Sequence, residues 1–102
     1  MRIEILTFEG CPYAGAAREL VRRAVRLEAA DAAIHVIAVG TPEAAHRLRF
    51  LGSPSVRVDG VDVEPSANGR TAYGLMCRTY NCDGELVGTP SIETIRAAIR
   101  DA

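Results

Sequence analysis

The chain has 102 residues, of which 48% are hydrophobic and 25% are charged, and its formal net charge is −1. This length suits one domain with its own hydrophobic core, and the small net charge gives no reason to expect a nucleic acid or an acidic membrane surface as a partner. No apolar run reaches the ~20 residues of a transmembrane helix, and the first residues lack the pattern of a secretory signal. We therefore expect a single cytoplasmic domain over residues 1–102, with neither nucleic acid nor membrane as a partner.

The first part of the chain predicts a β-α-β unit. Residues 2–8 predict a strand that is nearly all apolar at its centre, which is typical of a strand covered on both faces. Residues 12–29 carry apolar side chains at helical spacing, and residues 33–39 predict a second strand that is parallel to the first. Four arginines of this helix fall away from its apolar stripe, and we expect them to face solvent: Arg18, Arg22, Arg23 and Arg26.

The next segment predicts a short helix followed by a β-hairpin. The Thr-Pro-Glu sequence of residues 41–43 is typical of a helix start, and Gly52 marks the end of this helical segment. Valine-rich runs then flank Asp59-Gly60, a pair that favours a two-residue type I′ turn. The register of that turn pairs Val58 with Val61, Val56 with Val63, and Arg57 with Asp62.

Residues 64–90 show no strong periodicity. Their first part is a loop by composition, residues 71–80 predict either an added strand or irregular structure, and residues 81–84 indicate a turn. Thr89-Pro90 repeats the earlier helix start and precedes isoleucines at helical spacing. The predicted fold is therefore α/β with a mixed sheet, the element order β-α-β-α-β-β-α, and an insertion before the last helix.

The cysteines are the residues with the clearest chemical potential. Cys11 lies between the first strand and the first helix, where unpaired N–H groups and the helix dipole favour a thiolate. A buried, inert cysteine is the alternative. The two other cysteines, Cys77 and Cys82, make the number odd, which argues against a secreted disulfide scaffold.

Two motifs resemble the thioredoxin superfamily. Residues 11–14, Cys-Pro-Tyr-Ala, are similar to the first half of the glutaredoxin motif Cys-Pro-Tyr-Cys, and Ser53-Pro54 stands where that family has a cis-proline before its third strand. The resemblance covers the chain except residues 65–88, and it implies a thioredoxin-like fold. It implies that Ser53 offers backbone groups to an extended substrate. It also assigns catalysis to Cys11 and substrate binding to Pro12, Tyr13, Ser53 and Pro54.

The chain departs from the glutaredoxin pattern in two places. Ala14 replaces the second cysteine of dithiol members, which excludes a disulfide within the motif. Residues 64–69 lack the Gly-Gly-x-x-Asp stretch with which glutaredoxins hold glutathione, so the resemblance does not extend to that site. Residues 50–60 and 73–78 resemble small bacterial thioredoxin-like proteins more closely. Some of those carry an alkylmercury lyase name, which hints at thiol and soft-metal chemistry.

Cys77 is the candidate second catalytic thiol. It lies in the insertion, which can fold over the sheet end that carries Cys11, and Arg78 beside it would favour a thiolate. The alternative is that Cys77 is a core residue of an extra strand. Cys82 is expected to be exposed, with a resolving role as its alternative.

The remaining titratable residues add no metal site. His35 is expected to be a satisfied sheet residue, and His46 is expected to face solvent. Because no second pair of cysteines or histidines completes a zinc set, we expect no structural zinc. We also expect no resident metal or cofactor, and a soft metal ion enters only as a partner of the thiols.

Three functions remain open on this sequence. The first is a thiol–disulfide oxidoreductase that acts on a small-molecule or protein disulfide through Cys11, with Cys77 as the resolving thiol. The second is a protein that binds a soft metal ion, such as mercury, or an organomercurial between these two thiols. The third is a non-catalytic binding module.

Overall fold

The computed structural model describes residues 1–102 and contains a mixed four-stranded sheet with three helices. The strands of this sheet are β1 (Arg2–Thr7), β2 (Ala33–Ala38), β3 (Ser55–Val58) and β4 (Val61–Asp62), and the helices are α1 (Ala14–Leu27), α2 (Pro42–Arg47) and α3 (Ile92–Asp101). The strand order is β2-β1-β3-β4, in which only β1 and β2 are parallel. The predicted element order and the insertion before the last helix are confirmed. None of the helices has the length and apolar character needed to cross a membrane.

Two apolar clusters hold helices against opposite faces of the sheet. Successive residues of a strand point to opposite faces, so Ile3 and Ile5 of β1 pack with α1 and α3, whereas Leu6 packs on the other side with Phe50. The predicted burial of β1 on both faces is confirmed. The helices contribute Ala17, Val21, Ala24, Ile95 and Ile99 to the first cluster and Ala45 to the second.

The local predictions at two chain reversals are confirmed. The Thr41 hydroxyl accepts a hydrogen bond from the Ala44 N–H (3.0 Å) and thereby caps α2. The β3–β4 hairpin has the predicted register. Asp59 and Gly60 both have positive φ, at 50° and 84°, as a type I′ turn requires.

Both long helices start later than the sequence predicts. Helix α1 begins at Ala14, because residues 12 and 13 lie in a turn closed by a hydrogen bond from the Ala14 N–H to the Cys11 carbonyl (3.3 Å). Helix α3 begins after Ser91, whose hydroxyl accepts from the Thr94 N–H (3.1 Å). The Thr89-Pro90 pair therefore precedes the helix, and serine supplies the cap that its short hydroxyl side chain favours.

The insertion contains a second, separate hairpin. Pro65–Ala67 form a 3-10 turn, and β5 (Tyr80–Cys82) pairs with β6 (Glu85–Val87). The turn predicted for residues 81–84 is confined to Asp83-Gly84, where φ is 52° and 87°. Cys82 therefore belongs to a strand and is half-buried, rather than exposed in a turn as predicted.

Strand β2 forms an open edge of the main sheet. It ends at Ala38, one residue earlier than predicted, and its outer side has no strand partner. His35 lies in β2, as predicted, and its side chain is exposed to solvent. The four arginines of α1 are exposed, as predicted, and so is His46.

Candidate functional site

Cys11 lies in the loop that leads from β1 into α1. Its N–H donates to the Phe8 carbonyl (3.2 Å), and the side chain is half-buried. The residue at the N-cap of α1 is Tyr13, so the thiol precedes the helix by one turn. Cys11 therefore lies before the helix rather than in its first turn.

Ser53 holds the base of this loop with its side chain. The Ser53 hydroxyl accepts a hydrogen bond from the Phe8 N–H (3.3 Å). Phe8 follows β1 directly, and its carbonyl accepts the bond from Cys11. The Ser53 side chain and the Cys11 N–H are therefore both bonded to the backbone of Phe8. Ser53 itself is buried, and the peptide bond between Ser53 and Pro54 is cis, as the resemblance implies.

The backbone of Ser53 holds a second segment, residues 76–78. The Ser53 N–H donates to the Met76 carbonyl (2.8 Å), and the Ser53 carbonyl accepts from the Arg78 N–H (3.0 Å). These two bonds form a parallel bridge that places Cys77 beside Ser53. The backbone N–H and carbonyl of Ser53, which the resemblance assigns to an extended substrate, are therefore bonded to residues 76–78 in this structure.

Cys77 and Arg78 face opposite sides of this bridged segment. Cys77 is exposed, whereas Arg78 is only 4% exposed. Adjacent residues of an extended chain point in opposite directions, and the guanidinium points toward Asp62, which it contacts through both oxygens (2.6 and 2.9 Å). The Arg78 guanidinium is therefore bonded to carboxylates and points away from Cys77. The prediction that Arg78 acts on the Cys77 thiol is wrong.

Arg78 and Tyr80 anchor the insertion to the sheet. Arg78 also donates to the Ser55 hydroxyl (3.0 Å) and lies over the ring of Tyr80, 4.5 Å from its centroid. Burial acts to lower the pKa of Arg78, but the hydrogen bonds to carboxylates, above all to Asp62, keep it above the ordinary value. The Tyr80 hydroxyl donates to the Pro54 carbonyl (2.6 Å), and burial raises the pKa of Tyr80 well above the usual range.

Sequence reasoning missed this cluster. Arg78 and Asp62 are 16 residues apart and belong to different predicted segments. Nothing in their spacing indicates that they meet. The buried Nε atom of Arg78 has no hydrogen-bond partner, which is a cost that the two bonds to Asp62 offset.

Tyr13 lies against the connection between β6 and α3. A Cβ atom added at Gly88 would fall 2.5 Å from the Tyr13 ring, so the two residues are in close contact. Tyr13 nevertheless remains 47% exposed, and Pro12 is exposed beside it. Both retain free surface next to the Cys11 loop.

The three thiols are free. Two cavities, of about 480 and 240 Å³, flank the β3–β4 hairpin, and neither is lined by a cysteine. No group of three or more histidine, cysteine, aspartate or glutamate side chains is arranged to hold a metal ion. Among the thiols, Cys77 is exposed, whereas Cys11 and Cys82 are half-buried.

Comparison with protein-family models, curated proteins and solved structures finds no match for this chain.

Proposed function

We propose that this protein is a thioredoxin-like thiol–disulfide oxidoreductase in which Cys11 attacks a disulfide and Cys77 resolves the product. The strand order β2-β1-β3-β4, with one parallel pair and helices on both faces, supports the thioredoxin-like assignment. The double attachment at Ser53 supports the chemistry. Its side chain bonds the base of the Cys11 loop, and its backbone bonds the segment that carries Cys77.

Two exchange steps transfer two electrons to the substrate. The Cys11 thiolate attacks one sulfur of a substrate disulfide, a mixed disulfide forms, and the other substrate sulfur leaves as a thiolate that takes a proton from water. The Cys77 thiolate then attacks the Cys11 sulfur and releases the second substrate thiolate. The protein is left with a Cys11–Cys77 disulfide, which a dithiol or two monothiols reduce again.

The second step brings the sulfur atoms of Cys11 and Cys77 into bonding distance. A disulfide needs Cα atoms within ~4.4–6.8 Å, and two backbone hydrogen bonds tie residues 76–78 to Ser53. Leu75 and Met76, which precede Cys77, are partly exposed. Breaking the two bonds to Ser53 would let residues 76–78 move and would open the Ser53 backbone to a substrate.

Disulfide mapping tests the assignment of the two thiols. Trypsin cleaves after arginine and separates the three cysteines into the peptides 3–18, 71–78 and 79–96. After oxidation with substoichiometric diamide and alkylation of free thiols, mass spectrometry should find peptide 3–18 linked to peptide 71–78. Cys82→Ser, the control, should preserve this link and Cys77→Ser should remove it. A predominant link to peptide 79–96 would refute the role of Cys77.

Turnover tests the role of Cys11. Wild-type protein should accelerate the reduction of bis(2-hydroxyethyl) disulfide by dithiothreitol. Cys11→Ser should abolish that acceleration, because the proposed mechanism assigns the first attack to Cys11 and no other thiol lies between β1 and α1. Cys82→Ser should retain the wild-type rate. A Cys11→Ser variant with most of the activity would exclude the mechanism.

A non-catalytic binding module is the second candidate, because residues 76–78 already fill the backbone edge of Ser53. A wild-type rate equal to that of Cys11→Ser would favour it. Stoichiometric binding of Hg²⁺ that disappears in Cys77→Ala, without any disulfide reductase activity, would instead favour a soft-metal protein.

A further inference from the structure

A cavity of about 240 Å³ between the segment that follows α2, the β3–β4 hairpin and the start of the insertion is rich in arginine. Three of its lining residues are arginines, namely Arg49, Arg57 and Arg70. We call it the arginine pocket. Asn68 and Tyr73 add side chains that can form hydrogen bonds, and Asp62 is the only acidic residue of the lining.

Arg57 is held rigidly at the wall of the arginine pocket. One terminal nitrogen of its guanidinium donates to the carbonyls of Leu48 (2.7 Å) and Arg49 (2.9 Å), which follow the last residues of α2. A guanidinium has five N–H donors, so three donors of Arg57 remain. No carboxylate lies within ion-pairing distance of it, since its cross-strand neighbours Glu4 and Asp62 are paired with other arginines.

The two other arginines of the pocket are exposed. Arg49 has no carboxylate partner, whereas Arg70 contacts one oxygen of Glu64 (3.1 Å). Glu64 is shared, because Arg78 also contacts it (3.3 Å). The three arginines of the pocket and Arg78 together carry four positive charges, and Asp62 and Glu64 carry two negative charges. Two positive charges are therefore in excess at the pocket. The whole chain, in contrast, has a formal net charge of −1.

The chemistry of the lining selects the class of ligand. Arginine side chains form paired, charge-assisted hydrogen bonds with phosphate oxygens, and a phosphate monoester carries close to two negative charges at neutral pH. That charge matches the excess at the pocket. A cavity of about 240 Å³ is smaller than the ~300–1,000 Å³ of sites for drug-sized ligands, so it suits one anionic group rather than a whole nucleotide.

We propose that the arginine pocket binds the phosphate group of a small phosphorylated molecule or of inorganic phosphate. Arg49 and Arg57 supply the charge that no carboxylate neutralises, and Arg70 contacts the anion from the insertion. None of the cysteines lines this pocket, so the site is independent of the thiol chemistry proposed above.

Amide-detected NMR of the full chain tests this site with inorganic phosphate as the probe. At constant ionic strength, phosphate should produce saturable shifts at the amides of Gly60 and Gly69 and at the Arg57 Nε–H, all of which belong to pocket residues. Arg49→Gln should weaken binding at least about tenfold, as expected for the loss of hydrogen bonds to a charged group.

Arg23→Gln is the matched control. Arg23 is an exposed arginine of α1 without an ion pair, so this substitution removes the same charge far from the pocket lining. Equal weakening in the two variants, or shifts that never saturate, would overturn the proposal. Phenyl phosphate distinguishes the sources of the anion. Tighter binding than inorganic phosphate would support an esterified ligand, and equal binding would support the free ion. Acetate binding as tight as phosphate would contradict a phosphate site.

Discussion

Gly52 packs closely against residues 76–78, and replacing it with alanine should displace that segment. Gly52 has a φ of +119°, a conformation that side chains rarely adopt, and an added Cβ would lie 2.9 Å from the Arg78 Cβ and 3.1 Å from the Met76 carbonyl oxygen. Both contacts involve the segment that is bridged to Ser53. Alanine at position 52 therefore creates backbone strain and pushes directly on the partner segment.

The expected loss of stability has two parts. A non-glycine residue in such a region costs about 1–3 kcal/mol, and forcing an extra carbon into a packed contact costs about 1–3 kcal/mol more. Gly52→Ala should thus lower the free energy of unfolding by about 2–6 kcal/mol. At about 4–8 °C per kcal/mol for a domain of this size, Tm should fall by about 8 °C or more.

Two glycine controls separate these terms. Gly60→Ala carries backbone strain alone, because φ is +84° and no atom lies within 4 Å of the added Cβ; at Gly40 there is neither positive φ nor a close neighbour. Thermal unfolding should therefore rank Gly52→Ala well below Gly60→Ala, with Gly40→Ala close to wild type. Hydrogen exchange at the Arg78 amide should accelerate only in Gly52→Ala. A Gly52→Ala variant that is as stable as Gly60→Ala would refute the contact.

Two further substitutions probe the anchor of the insertion. Asp62→Asn leaves the buried Arg78 without its main ionic partner and should lower the free energy of unfolding in urea by about 3 kcal/mol. Asp31→Asn, at an exposed and unpaired residue, should leave that free energy almost unchanged. Equal losses in the two variants would contradict the buried pair. Because burial raises the pKa of Tyr80, its contribution to stability is complete below about pH 10 and is lost as pH rises further. Between pH 8 and 11 the free energy of unfolding should fall more steeply for wild type than for Tyr80→Phe. At neutral pH the variant should be less stable by about 1 kcal/mol, because it lacks the hydrogen bond to Pro54. Identical slopes for the two proteins would show that Tyr80 is not buried as described.

Local chemistry explains which elements could be predicted from the sequence. The hairpin at Asp59-Gly60 and the cap at Thr41 depend on residues within a few positions of each other, and both were predicted with the correct geometry. The start of α3 was misplaced because Thr89-Pro90 and Ser91 both fit a helix start, and only the packed structure selects the serine. The hairpin at Asp83-Gly84 carries the same signal as the first one, but its strands have only three residues each, too few for an alternating pattern to stand out.

The candidate site was harder to predict because it depends on contacts between distant segments. Sequence placed Cys11 after β1 and Ser53 before β3, and both positions hold. It did not indicate that residues 76–78 bond to the Ser53 backbone, since this bridge involves one residue pair and leaves no periodicity. The orientation of Arg78 was likewise set by a distant carboxylate, that of Asp62.

Ser53 bonds the Cys11 loop through its side-chain hydroxyl and residues 76–78 through its backbone. Each attachment can therefore be removed while the other is kept. Loss of the hydroxyl, as in Ser53→Ala, would free the turn at Phe8 yet keep both amide bonds to the insertion. A side chain at position 52 would displace residues 76–78 and would leave the bond between the Ser53 hydroxyl and the Phe8 N–H in place. Substitutions at these two adjacent positions therefore change the mobility of one thiol-bearing segment at a time: position 53 acts on the loop that carries Cys11, and position 52 acts on the segment that carries Cys77.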